Sequence, residues 1–145
     1  MSTSPTPIFH HTLFWYCNDV ALMRHFYTTL LNLEETFYRN DAEVGWLTYQ
    51  SGSLQVVFSR AEKPQPVLED WSIQFSYKEG KLYQPSWAVE VPYHNFADTI
   101  KRIISDGTTP YLEETYRTPR EGHLCFWVRD PMGITIELYA HNKQD

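Results

Sequence analysis

Cysteine is nearly missing from this chain: Cys17 and Cys125 are the two among 145 residues. Two widely spaced thiols make no disulfide framework and suit a reducing compartment, so a cytoplasmic protein with an unstapled core is expected. Basic clusters are missing as well. With 12 Lys and Arg against 18 Asp and Glu, a formal charge of −6 and no run of cations, there is no footprint to neutralise phosphates. Nucleic acid and anionic membrane are therefore set aside as partners. No apolar run approaches the ~20 residues needed to span a bilayer. The opening MSTSPTPIF has neither a charged n-region nor an apolar h-region, so secretion is not expected. Aromatics, by contrast, are abundant: Phe, Tyr and Trp make up 16% of the chain, enough to line a cavity as well as fill a core.

Residues 1–7 are polar and proline-rich and read as a tail. From Phe9 to Cys17 the composition is that of a strand, and Asn18 or Asp19 offers a side-chain oxygen to cap a helix. In that helix Met23, Phe26, Tyr27, Leu30 and Leu31 fall on one face, and Asn32 suits the left-handed residue that ends it. Strands follow at Glu35 to Tyr38, Val44 to Tyr49 and Leu54 to Ser59, the last two joined by a hairpin at Gln50 to Ser53. A proline-bearing connector comes next, with a short strand at Trp71 to Tyr77. The pattern then repeats. Ser86 to Val91 reads as a strand, and Asn95 as the cap of a helix with Phe96, Ile100, Ile103 and Ile104 as its apolar stripe, ended by Asp106-Gly107. Strands are expected around Pro110 to Leu112, at His123 to Arg129 and at Ile134 to Ala140, the last two joined by a type I turn over Asp130-Pro131-Met132-Gly133. The reading is one α+β domain over 1–145: a βαβββ module at about 8–59, a connector at 60–83, and a second βαβββ module at about 84–140.

Side chains alternate along strands, which separates core sets from candidate site residues. Opposite the core set Ile134, Ile136 and Leu138 stand Thr135, Glu137 and Tyr139. The first strand splits into Leu13, Trp15 and Cys17 against His10, Thr12, Phe14 and Tyr16; the fourth into Leu54, Val56 and Phe58 against Gln55, Val57 and Ser59. His123, Cys125, Trp127 and Arg129 oppose Leu124, Phe126 and Val128. Cys125 is a nucleophile if a base such as His123 is within reach, and otherwise a small buried thiol. Phe14, Tyr16, Trp127 and Tyr139 wall a pocket for planar or amphipathic ligands or pack in a dimer interface. Glu90, on a face with Ser86 and Ala88, meets Glu137 or reaches solvent.

The duplicated βαβββ order, the spacing from Asp19 to Phe26-Tyr27, the hairpin SGSLQVVFSR and above all Asp130-Pro131-x-Gly133-x-x-x-Glu137-Leu138 resemble the vicinal oxygen chelate superfamily of glyoxalases, extradiol dioxygenases, and fosfomycin- and bleomycin-resistance proteins. The resemblance covers nearly the whole chain. It implies modules curled into half-barrels around a cleft, usually in a homodimer. In the metal enzymes of that family the ligands sit on the first strand of each module and on the last strand. The corresponding positions here are Thr12, Ser86 and Glu137, and a further carboxylate would fall near Gln55 or Val57. Only Glu137 is a usual ligand for Mn, Fe, Ni or Zn. The resemblance thus implies a metal-independent protein, like the bleomycin-resistance members, that binds a small aromatic or amphipathic molecule. Its ligand-binding residues would be Thr12, Phe14, Tyr16, Gln55, Val57, Ser86, Glu90, His123, Cys125, Trp127, Glu137 and Tyr139. The alternative is a glyoxalase- or dioxygenase-like enzyme that holds a divalent metal with Glu137 and His10.

Overall fold

The computed structural model describes residues 11–74, 80–111, 118 and 120–142. The chain forms two compact units, residues 1–24 with 33–65, and residues 25–32 with 66–145.

In the first unit β1 (His11–Cys17) leads into α1 (Val20–Arg24). Asp19 starts this helix, its carboxylate accepting from the backbone N–H groups of Ala21 at 2.8 Å and Leu22 at 3.2 Å. Three strands follow, β2 (Glu35–Asn40), β3 (Gly45–Ser51) and β4 (Leu54–Arg60), and the sheet order is β1-β4-β3-β2. The return of β4 beside β1 is parallel, with Thr12 opposite Gln55 and Phe14 opposite Val57. α1 packs on β3 and β4. Val20 and Met23 of α1 and Cys17, Leu47 and Phe58 of the sheet are fully buried. Arg24 anchors the helix to β2 by pairing with Glu35 and lying 4.0 Å over the Tyr38 ring.

The helix does not stay α-helical through Leu31 as the apolar stripe predicts. From His25 to Leu30 it widens to a π-helix, with the Leu31 N–H reaching the Phe26 carbonyl five residues back at 3.1 Å. Asn32 then ends it in the left-handed region, φ 58°.

The second unit is built on β5 (Ser86–Glu90), α2 (Phe96–Ser105), β6 (His123–Arg129) and β7 (Thr135–His141), in the sheet order β5-β7-β6. Two expectations about α2 are corrected. Asn95 makes no side-chain cap; it closes a 3-10 turn over Tyr93–Asn95. The buried stripe is Phe96, Thr99, Ile100 and Ile103, while Ile104 is exposed, because a step of eight residues lies about 80° from Phe96 around the helix. α2 meets the π-helical segment, where Arg102 donates to the Leu30 carbonyl at 3.1 Å and His25 lies 2.8 Å from the Asp106 carboxylate.

No strand forms at Pro110 and Tyr111, although the Tyr111 N–H donates to the Trp127 carbonyl at 3.0 Å; Leu112 lies outside the described residues. In the connector, Ser72 makes only an isolated bridge to Lys81, and residues 75–77 of the expected Trp71 to Tyr77 strand lie outside the described residues.

The turn between β6 and β7 forms as its residues require. The Gly133 N–H bonds to the Asp130 carbonyl at 2.9 Å, and the Asp130 carboxylate accepts from Met132 and Ile134. Gly133 has φ 81°, and a Cβ there would fall 2.0 Å from the Leu68 carbonyl oxygen, so glycine is required twice over.

Candidate functional site

Each unit presents its own set of the sequence-predicted residues. On the first sheet, register places Thr12, Phe14 and Tyr16 of β1 on one face with Gln55, Val57 and Ser59 of β4. Phe14 is 60% exposed and Tyr16 68% on β1 at the edge of the sheet, whereas Val57 on the inner strand β4 is buried between β1 and β3. Sequence reasoning missed two members of this face. Trp46 meets Phe14 edge-on at 5.9 Å, and Phe37, opposite Thr48, is also exposed. Alternation along Val44 to Tyr49 was the signal that would have found Trp46. His10 lies outside the described residues.

On the second sheet the pairings run in rows across three strands. Ser86, Thr135 and Arg129 form one row, Ala88, Glu137 and Trp127 the next, and Glu90, Tyr139 and Cys125 the third; His141 stands opposite His123 at the end. Part of this face is roofed by the connector, which sequence reasoning did not place. Ser72 donates its N–H to the Thr135 hydroxyl at 2.9 Å, and Gln74 accepts from the Trp127 indole N–H at 2.9 Å. Arg129 bonds the Glu69 carbonyl and lies 4.7 Å over the Trp71 ring. Trp127 and Thr135 are consequently buried, Cys125, Glu137, Tyr139, His123 and His141 half-buried, and Ser86, Ala88 and Glu90 exposed.

Electrostatics limit what these groups can do. Burial pushes the Cys125 thiol up to about 11, helped by the charge of the Glu137 carboxylate and the hydrogen bond the thiol donates to it. At neutral pH Cys125 is therefore a neutral donor to Glu137, not a thiolate nucleophile. The His123 imidazole is pulled below its ordinary value by burial, then by Arg120 and by His141, which leaves it neutral and hydrogen-bonding. Glu137, diagonal to Cys125 on the neighbouring strand, offers carboxylate oxygens at the middle of the face.

No protein-family model matches the sequence, and no curated protein is similar to it. Solved structures are similar to it along nearly their whole length. FosX, the genomically encoded fosfomycin resistance protein of Listeria monocytogenes, aligns over 98% of this chain and 96% of its own with TM-score 0.61 and 14% identity. A glyoxalase/bleomycin resistance protein/dioxygenase from Alicyclobacillus acidocaldarius aligns over 92% of both chains with TM-score 0.56 and 17% identity. Lactoylglutathione lyase from Agrobacterium tumefaciens covers 95% of this chain and 96% of its own, with TM-score 0.56 and 14% identity. The fold is that of the vicinal oxygen chelate superfamily.

That fold often carries a divalent metal, so the donors present have to be weighed. The resemblance assigns the ligand positions to Thr12 in the first unit and to Ser86 and Glu137 in the second, two hydroxyls and one carboxylate. Neutral hydroxyls are poor ligands for Mn, Fe, Ni or Zn, and the set does not fit such an ion. Among the described residues, no three His, Cys, Asp or Glu side chains gather as a metal-binding group.

Proposed function

We propose that this vicinal-oxygen-chelate-fold protein binds a small aromatic or amphipathic molecule without a metal, in the manner of the bleomycin-resistance members of the superfamily. The observation that carries the reading is the exposed aromatic face of the first sheet, where Phe14 and Tyr16 stand in solvent beside Thr12 and Gln55. Planar rings with adjacent polar groups suit a ligand that stacks and hydrogen-bonds at once. The second sheet, taken by itself, offers the Glu137 carboxylate, with Tyr139 alongside, to a cationic or hydroxylic group. Thr12 and Ser86 in place of ligands support metal independence.

The test is titration of metal-free protein with aromatic cationic ligands, followed by tryptophan fluorescence from Trp46, which contacts Phe14. Saturable quenching that weakens at least tenfold in Phe14→Ala supports the reading. Absence of quenching, with sedimentation showing a dimer that Tyr16→Glu dissociates, would instead make the aromatic face a homodimer interface. The second reading, a glyoxalase- or dioxygenase-like enzyme using Glu137, draws on the names of the structural neighbours. Stoichiometric Mn, Fe, Ni or Zn lost in Glu137→Ala would decide for it.

A further inference from the structure

The second sheet ends in an arrangement that the ligand-binding reading does not use. His123 and His141 stand directly opposite each other on antiparallel β6 and β7, near the ends of both strands. Their rings meet edge to face with centroids 4.2 Å apart, and the two Nδ1 atoms point at each other within hydrogen-bond distance. Two imidazoles so placed share one proton between two facing Nδ1 atoms. Both rings are half-buried, and Tyr139 meets His141 edge-on at 5.2 Å between ring centroids. The orientation is thus fixed by neighbours on the same face. Register fixes the backbone beneath, since the Asp130–Gly133 turn sets the pairing that brings 123 opposite 141.

We propose that His123 and His141 form a two-imidazole chelate for a borderline divalent cation of the Zn, Ni or Cu class, at the end of the second sheet. A cation takes the place of the shared proton, which moves through solvent to Nε2 of the same ring; the cation accepts both Nδ1 lone pairs and completes its coordination with water. Imidazole suits these ions and not Mg or Ca, and Cu2+ is favoured over Ni2+ and Zn2+ by the general order of divalent affinities. Two nitrogens at about 2.1 Å from such an ion subtend a separation near 3 Å at cis angles, which small rotations of the two rings supply. The site is distinct from the Glu137 position. His141 lies four residues beyond Glu137 on the same strand face, about 14 Å along the strand at about 3.4 Å per residue. Arg120, whose charge acts on His123, opposes the cation and moderates its affinity.

The experiment uses the full chain and Zn2+ alone, following the imidazole resonances of all six histidines by NMR, with a chromophoric indicator in competition for affinity. The expected result is that His123 and His141 shift together up to one equivalent, ahead of His25 and His94. His123→Gln and His141→Gln should each weaken this binding at least tenfold, whereas Glu137→Gln leaves it unchanged. Arg120→Gln should strengthen it about two- to fivefold, a gain that a purely structural role for the histidines does not produce. Zinc that shifts other histidines first, or single variants that bind as tightly as wild type, would overturn the proposal. Zinc lost in Glu137→Gln but kept in His141→Gln would overturn it too, and would locate the metal at the family position instead. Ligand quenching in metal-free protein is unaffected by any of these outcomes, so the two readings fail separately.

Discussion

Replacing Asp130 with asparagine should remove a pH dependence from the stability of the chain. The Asp130 side chain is buried in the β6–β7 turn. One oxygen accepts from the Met132 N–H at 2.8 Å and the Ile134 N–H at 3.1 Å, and the other takes the Tyr27 hydroxyl at 2.8 Å. Burial pushes the carboxyl up from 3.8 to about 6, while these hydrogen bonds pull it down. The folded chain therefore holds this proton more tightly than the unfolded chain. Its contribution is fully present below pH 3.8 and is lost as pH rises through about 6, because unfolding releases a proton throughout that window. A rise from 3.8 to about 6, at about 1.36 kcal/mol per pH unit, corresponds to about 3 kcal/mol. Asp130→Asn keeps an acceptor oxygen for the turn but does not titrate. Urea unfolding of both proteins at intervals from pH 4 to 7.5 gives the difference in free energy at each pH, in which the other carboxylates cancel. That difference, wild type minus variant, should fall by about 2.5 kcal/mol between pH 4 and 7.5, the part of the total that lies above pH 4. A flat or rising difference would refute the reasoning, since it would mean that the hydrogen bonds to the carboxylate outweigh burial and keep Asp130 ionised.

Three further outcomes are expected. Tyr27→Phe removes the hydroxyl that reaches Asp130; at pH 7 it should cost about 1.5–3 kcal/mol in urea unfolding, and less at pH 4 where the carboxyl is protonated. Cys125 should react slowly with iodoacetamide at pH 7, with its rate rising towards a midpoint near 11; Glu137→Gln should move that midpoint down and speed the reaction, and an unchanged profile would separate the thiol from the carboxylate. Gly133→Ala should cost about 3 kcal/mol or more, because its Cβ would meet the Leu68 carbonyl, whereas Gly107→Ala, with φ 88° but open space around it, should cost about 1 kcal/mol in the same assay.

Much of this molecule is legible from alternation and turn chemistry, which act over a few residues. The Asp130–Gly133 turn and the core set Ile136 and Leu138 follow from local rules, and the likeness to solved structures agrees with the fold they imply. The His123–His141 pair is legible too, once β7 is carried one residue past Ala140. Counting outward from Arg129 and Thr135 across the turn brings 123 opposite 141. What does not follow from the sequence is non-local. Gln74 and Ser72 reach Trp127 and Thr135 by single hydrogen bonds from an aperiodic connector, and nothing in their neighbours signals a partner sixty residues on. The π-helical widening after Arg24 is equally hidden, since Phe26, Tyr27, Leu30 and Leu31 are buried and fit an α-helical stripe as well as a wider helix.

The roof over Trp127 changes how Glu137 is to be understood. With Thr135 and Trp127 sealed under the connector, the open part of the second sheet runs from Glu137 through Cys125 and Tyr139 to the histidine pair. Along that strip the donors change in kind: a carboxylate bonded to a thiol, a phenol ring, then two converging imidazoles. A transition metal at Glu137 would have to compete with the Cys125 proton, whereas two imidazoles at the strand end already converge. If this chain holds a borderline cation, the chemistry of the strip places it at the histidines, and Glu137 is left free to hold an organic ligand.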